Sequence, residues 1–130
     1  MLFKRTEGFR YKFEEPIQSI VTIVENGKAV ESETAIGEIL DVSPRGIKMF
    51  TTVDLYAGKA ICPQLEIRFM IDTQPIIAYG EVMWNRPYMK GKLYGIFFNN
   101  QPRLEDLIVE ELKIRRKKEI LAEKNRKSNA

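Results

Sequence analysis

Histidine is absent from this 130-residue chain, and cysteine occurs once, as Cys62. The first absence removes imidazole as a metal ligand, as an acid or base and as a member of a catalytic triad. The second removes an internal disulfide and any cysteine-based metal cluster. No apolar run approaches the ~18 residues that a membrane-spanning helix needs. The opening MLFKRTEGFR turns charged too early for the apolar segment of a secretory signal, so a cytoplasmic protein is expected. Most of the chain also lacks an excess of either charge. Residues 1–102 hold twelve basic and twelve acidic side chains, and the formal +3 arises in residues 103–127, with nine Lys/Arg against six Asp/Glu. A neutral body disfavours sequence-blind nucleic-acid binding, which needs an extended positive face. It leaves room for a small anionic ligand held by a few arginines. Glu14-Glu15 and Glu110-Glu111 are the adjacent carboxylates, but neighbours on a strand or helix do not face each other across a substrate. No catalytic residue and no metal ligand is assigned, and a binding protein rather than an enzyme is expected.

What is present is ordinary globular material, 44% apolar and 30% charged, in a length that suits one domain. Short β-branched stretches alternate with turn residues. Residues 17–24, 34–41, 45–51, 65–71, 76–85 and 92–98 read as strands. Asn26-Gly27 marks a tight turn, and SPRG at 43–46 another. Leu65, Ile67, Phe69 and Ile71 share one strand face, and Gly80 suggests a bend or bulge in the fifth strand. The period then changes. Asn99, Asn100, Gln101 and Pro102 open a helix, with Glu105 and Asp106 in its first turn and KIRRKK at 113–118 towards its end. Leu104, Leu107, Ile108 and Leu112 recur at helical spacing. The helix is expected over 102–123, with the last residues frayed. Six short strands and one amphipathic helix predict a mainly β fold: a six-stranded antiparallel barrel with a C-terminal α-helix.

Two stretches carry ligand chemistry. Arg5 and Arg10, joined by Lys4, precede the first strand. An arginine fork matches the O6/N7 edge of guanine and the oxygens of a phosphate. Solvated residues in a mobile tail are the other reading of these three. The second stretch is Asp41-Val42-Ser43-Pro44-Arg45-Gly46. A carboxylate there accepts from the N1–H and N2–H edge of guanine, and Gly46 permits a positive φ and close ligand approach. A turn that only reverses the chain is the alternative.

An arginine-bearing arm, a strand, and DxSxxG at the end of the second strand together resemble the PilZ family of bacterial cyclic di-GMP receptors. GEVMWNRP (80–87) and LYGIFF (93–98) are similar to that family's fifth and sixth strands, and the resemblance runs from about residue 4 to residue 115. It implies a single PilZ-like domain over 1–127, with 1–14 as a flexible ligand-binding arm and lead-in, 15–100 as the barrel and 102–123 as the helix. It implies that Arg5 and Arg10 grip guanine edges and phosphates. Asp41 then accepts from a guanine, Ser43 bonds a base or phosphate, and Gly46 lets the backbone close in. Lys4 and Arg45 are further cations for the ligand. Trp84 is read as a barrel-core aromatic, with a place beside a base as the other option. The family's arm motif is usually RxxxR. Here Thr6 stands at its first position and Arg5 one residue earlier, where many relatives carry an outer arginine.

The implied function is that of a non-enzymatic second-messenger receptor. Cyclic di-GMP would bind across the barrel mouth, order residues 1–10 and alter contact with a protein partner in motility, adhesion or secretion. One alternative is a PilZ-like interaction module with weak or no nucleotide binding, which Thr6 favours. Another is a small nucleic-acid-binding barrel stacking bases on Tyr11, Phe13, Tyr79 and Phe98. Leu107, Ile114 and Leu121 fall seven apart, a weak signal for self-association through the helix.

Overall fold

A computed structural model describes residues 10–55 and 63–128, with the side chains of residues 31, 32 and 128 excepted. Lys4, Arg5, Thr6 and Cys62 lie outside the described residues. The strands are β1 (Tyr11–Glu25), β2 (Lys28–Ser43), β3 (Gly46–Thr51), β4 (Gln64–Met70), β5 (Pro75–Tyr88) and β6 (Gly91–Phe98), followed by helix α1 (Pro102–Ser128). The strands close into an antiparallel barrel in the order β1-β2-β3-β6-β5-β4. The fold is thus the expected one.

β1 begins at Tyr11 rather than at residue 17, because Glu14-Glu15-Pro16 interrupts the ladder without ending the strand. The β1–β2 register shifts between Lys12 and Ile17, where Pro16 has no N–H to offer a partner. Asn26 and Gly27 have φ of 51° and 77°, the left-handed pair of a two-residue hairpin. Gly80 pairs in register with both Leu65 and Phe98, so it is not the bend of β5. The irregularity sits at Met83, between the pairs Val82–Ile96 and Trp84–Gly95.

Alternation, broken once by a register shift between Ile39 and Asp41, sends Ile39, Val42, Ile47, Met49, Leu65, Ile67, Ile76 and Ala78 inward, where they form a continuous core. One end of the barrel is stopped by α1. Its Leu104, Ile108 and Leu112 join the same core, while Leu107 is half-buried at the rim. Burial of each such side chain stabilises by about 1.5–3 kcal/mol, far more than helix propensity provides. Gln101 opens the helix through its backbone: its carbonyl accepts from the Leu104 and Glu105 N–H groups, and its amide side chain donates to the Tyr79 carbonyl at 2.9 Å.

The middle of α1 is clamped to the β4–β5 turn. Glu111 is fully buried, and its carboxylate accepts from the backbone N–H groups of Asp72, Thr73 and Gln74 at 2.7–3.2 Å and from the Thr73 hydroxyl. Burial alone would raise this carboxyl, but those donors outweigh it and hold it below the usual carboxylate range. Arg115 donates to the Ile71 carbonyl at 2.8 Å and lies over the Phe13 ring, and Lys118 bonds Asp72 at 2.7 Å. Tyr11, the first residue of β1, donates its phenol to Glu119. With these anchors the helix continues to Ser128, past the expected end at 123.

Candidate functional site

The turn between β2 and β3 places the DxSxxG residues. Asp41 pairs with Lys48 and Ser43 with Gly46, so Asp41, Ser43, Gly46 and Lys48 face one side of the sheet, while Val42 and Ile47 fill the core on the other. The Ser43 hydroxyl donates to the Gly46 carbonyl at 3.3 Å, as a turn-closing serine would. Gly46 has no positive φ, contrary to expectation. It is needed for close approach instead, since a Cβ would meet the Ile96 carbonyl oxygen at 2.5 Å.

Arg10 lies just ahead of β1 and forms an ion pair with Asp41. The pairs Tyr11–Val42 and Lys12–Asp41 bring the arm's end beside the turn. Lys48 approaches the second Asp41 oxygen at 3.4 Å. The Asp41 carboxylate is therefore nearly buried, 5% exposed, between two cations. Two of the sequence-predicted ligand residues are thus brought into contact across a long loop of chain.

Trp84 is not a core residue. Strict alternation from Ile76, Ala78 and Val82 would turn it inward, but the bulge at Met83 adds one residue and sends both Met83 and Trp84 out. Trp84 is 43% exposed. Its indole lies against Gly95, where a Cβ would collide with the ring, and the Arg86 guanidinium stands 5.7 Å from the ring centroid.

These parts line an open groove of about 580 Å³. Arg10, Asp41, Ser43, Arg45, Gly46 and Lys48 form one wall, and Met83, Trp84, Gly95 and Phe97 the other. Two cations hold one carboxylate, with a third cation, Arg45, in the same groove beside an aromatic surface. The groove runs over the outward faces of β2, β3, β6 and β5. Arg45 also reaches the start of α1, where it pairs with Glu105 at 3.6 Å. Lys48, Gly95 and Phe97 are groove residues that the sequence did not single out. Only the cross-strand register, Lys48–Gly95–Trp84 and Gly46–Phe97, joins them to the motif.

The stacking face of a nucleic-acid barrel does not form. Phe13 and Phe98 are buried in the core, Tyr11 is tied to Glu119, and the Tyr79 phenol donates to Glu66 at 3.0 Å. Of the paired carboxylates, Glu111 belongs to the helix clamp and Glu110 faces solvent. Among the described residues no cluster of three or more Cys, Asp or Glu could hold a metal ion, and no helix is long and apolar enough to cross a membrane.

No protein-family model matches the chain, and no curated protein does. Among solved structures, the PilZ domain of CeSA from a cellulose-synthesizing bacterium is similar, with a TM-score of 0.55 and 17% identity over 78% of this chain and 92% of that one. That likeness, together with the closed six-stranded barrel and its C-terminal helix, makes this chain a PilZ-like domain by fold.

Proposed function

We propose that the chain is a non-enzymatic receptor for cyclic di-GMP, acting in the cytoplasm, and that the outer-wall groove is its binding site. The observation that supports this most is the meeting of Arg10 with Asp41 beside an exposed tryptophan, in a groove whose volume suits a small-molecule site. In the free protein Arg10 and Lys48 satisfy Asp41. A guanine presenting N1–H and N2–H takes over the carboxylate. Arg10 then turns to the O6/N7 edge or a phosphate, and Lys48 and Arg45 balance the two phosphate charges. Ser43 and Gly46 form the floor of the turn, and Trp84 supplies an aromatic wall. Arg5 and Lys4 join from the arm, and its ordering changes the contact made with a protein partner.

The second reading is a PilZ-like interaction module without nucleotide binding. It is favoured by the same ion pair, because Asp41 already has its cations. Calorimetry with cyclic di-GMP on wild type and Arg10→Ala separates the two. The receptor reading expects saturable binding by wild type and a loss of about 1–3 kcal/mol in the variant. No heat of binding in wild type leaves the interaction module, and equal affinity in both proteins removes Arg10 from the site.

A further inference from the structure

Helix α1 presents more than its barrel face. Leu107, Ile114 and Leu121 repeat every seven residues along its flank, about 21 Å from end to end. Their companion positions are engaged with the barrel: Leu104 and Glu111 are buried there, and Lys118 holds Asp72. An apolar flank remains beside them, its Leu107 end packed against the barrel core and its Leu121 end exposed. Leu107 and Ile114 are half-buried, and Leu121 is 59% exposed on the part of the helix that extends past its last barrel anchor, Glu119.

The two ends of this seam differ. Beside Leu107 lies an apolar groove of about 560 Å³, lined by Ile77, Pro102 and Leu104 together with Gln101 and Arg103. At the other end Leu121 stands exposed. Asp106 and Glu110 lie in the half with the groove, which also carries Arg103 and Lys113, and Lys117 lies in the half with Leu121. Glu110 and Lys117 have no ion-pair partner among the described residues.

We propose that this flank binds a second copy of the chain, with the two α1 helices antiparallel and Ile114 against Ile114 on the twofold axis. Leu107 and Leu121 are equally far from Ile114, so Leu121 of each copy seats in the groove beside Leu107 of the other. Glu110 then comes opposite Lys117 of the second copy. A parallel pair would set Glu110 against Glu110 and Lys117 against Lys117, and would leave both grooves empty. The antiparallel arrangement is isologous: the grooved half of one copy, with Glu110, meets the leucine-tipped half of the other, with Lys117. It depends on the helix alone and holds whatever the nucleotide groove takes.

Sedimentation of the full chain over a concentration series tests it. A monomer–dimer equilibrium is expected. Leu121→Lys, which lies beyond the barrel contacts, is expected to raise the dimer dissociation constant by at least about tenfold without changing the fold, because it places an unpaired cation beside Arg103 in an otherwise apolar groove. Glu110→Lys and Lys117→Glu are each expected to weaken the dimer, and the double exchange to restore it. In a Cys62→Ser background, Ile114→Cys is expected to cross-link with itself. Leu107→Cys and Leu121→Cys are expected to cross-link only when mixed. A monomer mass at every concentration overturns the proposal, as does self-cross-linking of Leu121→Cys, which marks a parallel pair.

Discussion

Asp41 is nearly buried on the outer wall of the barrel, where Arg10 and Lys48 neutralise it. On the proposed reading, guanine N–H donors take over that carboxylate while its cations pass to the ligand's phosphates. Asp41→Asn is expected to keep the fold and to weaken cyclic di-GMP by about 1–3 kcal/mol in calorimetry, through loss of the acceptor for guanine. Gly95 has a different duty. It is a seat for Trp84, the chain's one tryptophan, and a methyl group there must displace the indole. Gly95→Ala is expected to shift the Trp84 emission in the free protein, and an unchanged spectrum would remove that role. Asp41 and Ser43 were legible in the sequence because a short motif carries them. Lys48 and Gly95 were not, since nothing local to them reports that register sets both beside Trp84.

The bulge of β5 and the clamp of α1 are what the sequence concealed among its elements. Period-two alternation locates β4 well, with Leu65, Ile67 and Phe69 all inward. The same rule misplaces Trp84, because a bulge has no fixed residue signature and depends on how β6 pairs alongside. The helix was legible from its apolar spacing, but that spacing does not mark Glu111 as buried. Only the fold brings the turn at residues 72–74, with its unpaired N–H groups, over that carboxylate. Glu111→Gln is expected to destabilise the protein by about 1.5–3 kcal/mol at neutral pH, as measured by denaturant unfolding. The pH dependence has a definite sign. The folded carboxyl is held below its ordinary value of 4.5, so its contribution is complete above that pH and is lost as pH falls through the lowered folded value. The melting temperature of wild type is therefore expected to fall more steeply than that of Glu111→Gln below about pH 4.5. Parallel acid profiles would remove the clamp from the stability of the fold.

Across the molecule, the groove has two connections to α1. Arg10 precedes Tyr11, which is tied to Glu119. Arg45 lines the groove and pairs with Glu105. The helix between those two acids closes the barrel. An occupant of the groove that draws on Arg10 and Arg45 is expected to act on both ends of the anchored part of α1. A ligand that prefers this folded arrangement raises its stability, by about 2.7 kcal/mol at a hundredfold excess over Kd, and the thermal transition is expected to move up accordingly. The most direct measurement uses Trp84 itself, because it is the only tryptophan and it stands in the groove. Titration of the full chain with cyclic di-GMP is expected to change Trp84 emission saturably, with the change abolished or shifted to much higher concentration in Arg10→Ala. An emission spectrum that stays constant while calorimetry registers binding would place the nucleotide elsewhere on the protein and contradict the outer-wall site.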